Sequence, residues 1–336
     1  MFAATTATAS ASASVPYIPP SFGQPGVSIS YRPKQLSSSS HQATPLPIIT
    51  VAVPPASIHH IFAHRQWRAG MLMSDALFSG AFPVSDRTIL ELGAGTGLPS
   101  ITAALIGTAN VVVASDYDEP QLVKELRDNV KYNLQGISDE QRRKCKVVGH
   151  IWGKDTEELQ DCLPRGVTKF DSILLADCMW DPLSHADLLK SVLKVLAQDK
   201  GARVNVIAGL HTGREKVTSF IRRAYRAGLR LAPLEQPDTW PSLAADTYEE
   251  ADPDAERAGN EAFLHAQDRI LELEVCGNTP IQQSHTSADS STNDDEPRLT
   301  GNRRKFLIEG YGEEMEGDVK LRNRWLTVWS LEWATP

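Results

Sequence analysis

Short apolar runs alternate with amphipathic stretches between residues 88 and 227. The apolar runs predict strands at 88–92, 111–115, 146–149, 170–176 and 204–210. Between them, apolar residues recur at helical spacing and predict helices at about 97–105, 119–134, 185–196 and 214–227. Strand and helix in alternation predict an α/β fold in which helices cover both faces of a parallel sheet.

The pattern is weaker before residue 87. Residues 1–26 are rich in Ala, Ser, Thr and Pro without apolar periodicity, which predicts a disordered tail. Residues 27–31 and 46–53 are strand candidates, and prolines confine the second one to a sheet edge. The two either pair as a hairpin or remain extended, and the sequence leaves both possibilities open. With a helix expected within 58–78, residues 27–86 form a predicted N-terminal extension of edge strands and a helix over the cofactor site.

The pattern also weakens after residue 235. Residues 236–317 carry acidic clusters and a polar run, and we expect an acidic, partly disordered insertion in which 269–275 is a short strand or a helical turn. Residues 324–333 are aromatic and β-branched and predict a last strand, antiparallel to one near 229–234. The main domain is therefore expected to comprise 87–235 and 318–336. Its Rossmann-like sheet should have seven strands, mostly parallel with an antiparallel last strand.

A glycine loop follows the first strand of this block. Gly93, Gly95 and Gly97 alternate with small residues and remove the Cβ atoms that would keep a ligand away from the backbone. Glu91 stands near the carboxyl end of the strand, where open α/β sheets bind ligands. A dinucleotide site would have its third glycine one position later, at Leu98, and its pyrophosphate would be repelled by Glu91. The ammonium and sulfonium of S-adenosylmethionine suit a carboxylate, so the spacing favours that cofactor.

Asp116 ends the second strand, about 20 residues after the glycine loop, as a nucleoside ribose requires. Its two carboxylate oxygens can accept hydrogen bonds from both ribose hydroxyls. A solvated strand terminus is the alternative reading, and we favour ribose binding.

Composition narrows the possible functions. The 336 residues are 41% hydrophobic, enough for a substantial core, and the net charge of -8 argues against general binding of nucleic acid. No apolar run is long enough to span a membrane. The N-terminus resembles neither a signal nor a transit peptide, so a cytoplasmic or nuclear location is expected. The four cysteines have no metal-ligand spacing and are interpreted as free thiols; no metal is expected.

Four segments narrow the interpretation further. They are Phe62-Ala63-His64-Arg65-Gln66-Trp67, Gly149-His150-Ile151-Trp152-Gly153, Leu175-Ala176-Asp177-Cys178-Met179-Trp180 and Arg322-Asn323-Arg324-Trp325. With the glycine loop and Asp116, they resemble the seven-β-strand S-adenosylmethionine-dependent methyltransferases. The resemblance is to the fungal subgroup labelled nicotinamide N-methyltransferase-like, which includes the protein methyltransferase of translation elongation factor 1-alpha.

The resemblance implies a role for each matching residue. Glu91, Gly93 and Gly95 would hold the methionine part of the cofactor and Asp116 the ribose. Trp152 would stack on adenine, and Trp67 would close the pocket.

Asp177 and Trp180 would face the methyl acceptor. Many relatives have Tyr where this chain has Trp180. Trp67 and Trp152 are alternatively core aromatics, and Asp177 a helix cap. His211 ends a strand at the same sheet edge and is a weak candidate for lining the acceptor pocket, but an ordinary strand-end residue is the favoured interpretation. Asn129 is expected to be a solvent-facing helix residue.

Three functions remain open at this stage. The first is a monomeric protein N-methyltransferase acting on a lysine or an N-terminal amine, with a translation elongation factor as a possible substrate. The second is a small-molecule methyltransferase of a fungal biosynthetic pathway. The third is a non-catalytic binding module with the same fold, against which the intact set of site residues argues.

Overall fold

The computed structural model describes residues 19–36, 44–56, 64–233, 240, 269–276, 298–307 and 319–335. Its elements, in chain order, are β1 (Ser21–Phe22), β2 (Ser28–Tyr31), β3 (Ile49–Ala52), β4 (Gln66–Trp67), α1 (Arg68–Phe78), β5 (Thr88–Leu92), α2 (Leu98–Ile106), β6 (Val111–Asp116), α3 (Pro120–Asn133), α4 (Asp139–Lys144), β7 (Cys145–Gly149), α5 (Glu157–Gln160), β8 (Ser172–Ala176), α6 (His185–Val195), β9 (Arg203–Gly209), α7 (Arg214–Arg226), β10 (Leu229–Ala232), β11 (Arg269–Cys276), β12 (Arg298–Leu307), α8 (Val319–Arg322) and β13 (Trp325–Trp333).

A single large sheet organises these elements. Its strands lie in the order β12-β11-β13-β9-β8-β5-β6-β7, and β10 also pairs with β13. The strands from β9 to β7 in this order are parallel, and β13 runs antiparallel to β9. The predicted α/β fold with an antiparallel last strand is therefore confirmed. Among the described residues the sheet has nine strands, two more than the seven expected.

The two additional strands belong to the stretch predicted as an acidic insertion. β11 pairs with the first half of β13 and with β12, whereas β10 pairs with the second half of β13. The last strand is nine residues long, so its outer edge accommodates both β10 and β11. Residues 269–276, for which a strand and a helical turn were open, form a strand. The predicted domain boundaries themselves stay predictions.

Hydrophobic cores lie on both faces of the sheet. Leu90 and Leu92 of β5 face a core formed with α6 and α7, whereas Ile89 faces one formed with α1. All three side chains are fully buried, as expected for central strands of a parallel sheet. This packing fixes the ends of the strands, where the polar residues lie.

The N-terminal extension is held against the sheet domain by two asparagines. β2 and β3 pair as an antiparallel hairpin, one of the two possibilities left open. Asn129 and Asn133 lie one turn apart on α3 and exchange hydrogen bonds with the backbone of Ala52 and Thr50 in β3. The expectation that Asn129 faces solvent is wrong, because the unpaired edge of β3 takes up its amide group and leaves it 4% exposed.

Order begins before the predicted end of the tail. β1 pairs with β4 through Ser21 and Trp67, so residues 19–26 contact the rest of the chain. The helix expected within 58–78 begins at Arg68, and residues 57–63 lie outside the described part. Within the described residues no helix combines the length and the apolar character needed to cross a bilayer.

Candidate functional site

The residues singled out from the sequence collect at the carboxyl edge of the parallel strands. Glu91 lies near the end of β5, and the glycine loop follows that strand. Asp116 is the last residue of β6, and Asp177 is the first residue after β8. Because β8, β5 and β6 are neighbours, three carboxylates lie along one edge of the sheet. The chain leaves β5 toward β6 and β7 and later crosses to β8 on the other side, which makes this edge a topological switch point.

The middle and last glycines of the loop have different functions. Gly93, Gly95 and Gly97 all have positive φ, at 72°, 53° and 82°. A Cβ added to Gly97 would lie 2.5 Å from Leu126 Cδ1, so this glycine allows α3 to pack closely against the loop. A Cβ added to Gly95 would meet nothing within 4 Å. The space above Gly95 is therefore open to a ligand.

Asp116 is tied to the glycine loop. Its Oδ2 accepts a hydrogen bond from Gly95 N at 2.5 Å, and its Oδ1 accepts one from Tyr117 N at 2.6 Å. Burial raises the pKa of Asp116 above its ordinary value, although both hydrogen bonds lower it. Each oxygen retains a lone pair, so this orientation is compatible with a bound diol.

Glu91 faces the beginning of α2. Ser100 donates two hydrogen bonds to Glu91 Oε2, one from its backbone N at 3.0 Å and one from its Oγ. Burial, with a smaller contribution from the charge of Asp116, raises the pKa of Glu91 to about 8 against these hydrogen bonds. Glu91 thus satisfies a free N–H of the first turn of α2, a structural role that sequence reasoning did not foresee.

Cys178 lies between the carboxylates. Burial first, and then the charges of Asp116, Asp177 and Glu91, raise the pKa of this thiol well above its ordinary value. Its Sγ would lie 3.0 Å from a Cβ at Gly93. The ends of β5, β6 and β8 therefore each bring a carboxyl group close enough to influence this thiol.

Trp152 lies against the same glycine. Its Cζ2 would be 3.2 Å from a Cβ at Gly93, so the missing side chain makes room for the indole. The turn that carries Trp152 is held by Ser191, whose Oγ accepts a hydrogen bond from Gly153 N and contacts His150 Nε2. Trp152 is half-buried, with one part in the core and the rest at the carboxyl edge.

Asp177 has an unusual backbone conformation. Its φ is +61°, in the left-handed region that non-glycine residues rarely adopt. Its Oδ1 accepts a hydrogen bond from Gly209 N at 3.0 Å, and its own N–H donates to Ile207. The turn directs a buried carboxylate across the ends of β8 and β9, a geometry typical of functional positions.

The remaining two predicted residues lie on the β8 and β9 side. Trp67 stacks on His211, with ring centroids 5.1 Å apart and an interplanar angle of 15°. Its neighbour Gln66 accepts a hydrogen bond from Thr96 of the glycine loop. β4 thus bridges the glycine loop and the end of β9. Trp180 is half-buried in the turn between β8 and α6.

Comparison with known proteins agrees with this geometry. A family model described as lysine methyltransferase matches residues 57–227, about half of the chain. This chain belongs to the lysine methyltransferase family. The resemblance found in the sequence is thereby confirmed, and the matched span contains every residue of the candidate site.

Curated relatives carry a more specific name. The chain is 35% identical over 155 residues to "Protein N-terminal and lysine N-methyltransferase EFM7" of Kluyveromyces lactis, covering 43% of this chain and 57% of the relative. It is 37% identical over 134 residues to the protein of that name from Cryptococcus neoformans, covering 40% and 43%. The chain thus spans about half the length of the curated relatives it matches.

Among solved structures, the chain is similar to Aeropyrum pernix fibrillarin in complex with S-adenosyl-L-methionine. The TM-score is 0.34 at 16% identity, covering 51% of this chain and 73% of fibrillarin. A similarity at this level says nothing about the chemistry of this member of the lysine methyltransferase family.

Sequence reasoning assigned no role in the site to two residues that contact it. His211 contacts the predicted site residue Trp67, and Asn129 donates a hydrogen bond to the Thr96 carbonyl of the glycine loop. The position of His211, two residues after a parallel strand, was the signal that made it a candidate. The pairing of Asn129 with Asn133 four residues later was another, since both lie off the apolar stripe of their helix.

Proposed function

We propose that this chain is an S-adenosylmethionine-dependent methyltransferase that transfers a methyl group to an amine of a protein. The observation that carries the proposal is the position of Glu91, Asp116 and Asp177 at one edge of three neighbouring strands, beside a glycine loop with open space above Gly95. Buried carboxylates with raised pKa values suit a ligand that brings positive charge. S-adenosylmethionine does so through its ammonium and sulfonium groups, whereas the diphosphate of a dinucleotide would be repelled.

The described residues fit that cofactor. Asp116 would accept hydrogen bonds from the ribose hydroxyls, and the backbone at Gly93 and Gly95 would lie against the methionine part. Trp152 would flank the adenine, and Trp67 would close the pocket. When bound, the cofactor supplies a methyl group that its positive sulfur activates. The protein then mainly has to orient the acceptor amine, the role proposed for Asp177 and Trp180.

The acceptor is inferred from the relatives. Their printed name assigns them to N-terminal and lysine N-methylation of proteins. By analogy with these relatives, the acceptor proposed for this chain is a lysine side chain or an N-terminal amine of a protein. The subgroup resemblance makes translation elongation factor 1-alpha the first substrate to test.

The proposal can be tested with S-adenosylmethionine that carries a tritiated methyl group. The purified chain is incubated with this donor and a heated fungal cell extract, in which the endogenous methyltransferases are inactive. We expect label in one or a few protein bands, with elongation factor 1-alpha examined first. Asp177→Asn protein serves as the matched control and should leave the bands unlabelled.

Two other results would contradict the proposal. Label confined to the small-molecule fraction would make the chain a small-molecule methyltransferase. Absence of label, together with calorimetric binding of S-adenosylmethionine, would make it a non-catalytic binding module.

A further inference from the structure

His211 lies close to Asp177, the residue proposed to orient the acceptor amine. The residue follows β9 by two positions and is half-buried, with its ring stacked on Trp67. A Cβ atom added to Gly209 would lie 2.8 Å from His211 Nδ1 and 3.5 Å from Asp177 Oδ1. An imidazole and a carboxylate therefore lie over the same glycine, beside an indole ring.

The enclosed ring nitrogen of His211 is unsatisfied. Nδ1 is buried and has no hydrogen-bond partner among the described residues, although buried polar atoms are usually paired. The carboxylate of Asp177, which is 6% exposed, approaches the same point above Gly209. Its carboxylate already accepts from Gly209 N but has further lone pairs.

The chemistry of amine methylation requires a proton acceptor. With an ordinary pKa of about 10.4, only about one lysine side chain in 2,500 is neutral at pH 7. A protonated amine has no lone pair to attack a methyl group. Among protein side chains, histidine is the one best suited to take up a proton near neutral pH.

We propose that His211 is a catalytic residue that accepts the proton of the acceptor amine. The N–H bond of the ammonium breaks, and the proton moves to the imidazole of His211, which lies with Asp177 over Gly209. The lone pair left on the nitrogen attacks the methyl carbon of the sulfonium donor. The carbon–sulfur bond breaks, its electrons stay on sulfur as a neutral thioether, and the imidazolium passes its proton to water. This inference rests on the proposed function.

His211→Phe tests the inference, because phenylalanine keeps an aromatic ring against Trp67 and cannot accept a proton. Calorimetry with S-adenosylmethionine measures donor binding without turnover, and we expect the affinity to stay within twofold of that of the wild type. Transfer of tritiated methyl to the heated extract should be at least 100-fold slower at pH 7. His211→Asn replaces it if the phenylalanine variant does not fold.

The pH profile separates a proton acceptor from a merely structural ring. Without His211, only spontaneously neutral amine reacts, so the rate of His211→Phe should rise about tenfold per pH unit from pH 7 to 9. The wild-type rate should rise less steeply, so that the two rates converge. The matched control is His150→Asn, which follows β7 but is hydrogen-bonded to Ser191, and its profile should run parallel to that of the wild type.

The outcomes distinguish this inference from the proposed function. If the wild type labels protein and His211→Phe is within threefold of it, or slower by the same factor at every pH, His211 is not the proton acceptor and the proposed function stands. If the wild type labels no protein, the proposed function fails and this inference fails with it.

Discussion

At the scale of single residues, the site combines negative charge with little access to water. Glu91 and Asp116 are almost fully buried, and burial raises the pKa of each. An acid whose pKa is raised in the folded state keeps its proton up to a higher pH there than in the unfolded chain. Its contribution to stability is therefore present at low pH and is lost as the pH rises, for Glu91 from its ordinary 4.5 toward about 8.

The raised pKa of Glu91 predicts how donor binding depends on pH. A cationic donor favours the ionised carboxylate, so below pH 8 its binding must release the proton of Glu91. We expect the affinity for S-adenosylmethionine to increase between pH 6 and 8, by up to about tenfold per pH unit. Glu91→Gln should bind more weakly at pH 8 and lose this increase.

Calorimetry at pH 6, 7 and 8 checks this prediction. The donor's own titration affects both proteins equally, so it cancels when the affinity of Glu91→Gln is compared with that of the wild type at each pH. Parallel pH dependence in the wild type and Glu91→Gln would contradict it.

Asp177 allows the role of its charge to be separated from its structural role. Asparagine tolerates a positive φ and keeps an oxygen that accepts from Gly209 N, so Asp177→Asn removes mainly the charge. We expect methyl transfer to fall about 100-fold or more, with donor affinity and thermal midpoint nearly unchanged.

A matched control for Asp177→Asn exists in the chain. Asp86 is the other described non-glycine residue with positive φ, at 59°, and it lies before β5, at the opposite edge of the sheet. Asp86→Asn should transfer methyl groups at the wild-type rate. Loss of donor binding in Asp177→Asn would contradict the assignment of Asp177 to the acceptor side.

At the scale of elements, α3 connects the N-terminal hairpin to the glycine loop. Asn129 accepts a hydrogen bond from Ala52 N and donates to the carbonyl groups of Ala52 and Thr96. Asn133 makes the corresponding pair of hydrogen bonds with Thr50. A disturbance of the hairpin would therefore reach the glycine loop through a single side chain.

Replacement of Asn129 should affect both stability and donor binding. Asn129→Ala leaves backbone groups of Ala52 and Thr96 without partners, and we expect a loss of about 2 kcal/mol in the free energy of unfolding. Donor affinity should fall as well, because Thr96 belongs to the glycine loop.

Asn133→Ala is the matched comparison for that variant. It should lose about 1 kcal/mol and leave donor affinity unchanged, because Asn133 has no contact with Thr96 among those that the structure describes. Urea unfolding and calorimetry provide the two measurements. Equal effects of the two substitutions on donor affinity would contradict the connection.

At the scale of the whole molecule, a buried ion pair ties the added strand β11 to the helix that follows β9. Arg214 Nε and Nη2 donate to the two carboxylate oxygens of Glu272 at 2.8 and 3.0 Å. The side chains are only 4% and 0% exposed. A buried ion pair of this kind stabilises the fold little more than a hydrophobic pair in its place would. Removal of one partner, in contrast, destabilises the fold because it leaves a buried charge.

The stability of the chain should therefore respond unequally to single and double substitutions at this pair. Arg214→Leu should lower the free energy of unfolding by about 3 kcal/mol, since the buried Glu272 loses its bidentate cationic partner. Arg214→Leu combined with Glu272→Leu should recover most of that loss. Urea unfolding measures both, and a double variant no more stable than Arg214→Leu would contradict the interpretation.

The sequence by itself determined the order and type of the main elements and the acidic residues that stand at the carboxyl edge of the sheet. Strands β5 to β9 lie within two residues of their predicted positions, because apolar periodicity and glycine spacing are properties of neighbouring residues. Glu91, Asp116 and Asp177 could be assigned to one edge from the sequence, since parallel strands all end at the same edge.

Only the tertiary structure decided which distant residues meet. Trp67 and His211 are 144 positions apart in the chain, and no local pattern records their stacking. The burial of Asn129 likewise depends on β3 lying along α3, and the nine-stranded sheet depends on β11 sharing an edge of β13 with β10. Such pairings follow from the shape and free hydrogen-bonding groups of assembled surfaces, which exist only once the elements have packed together.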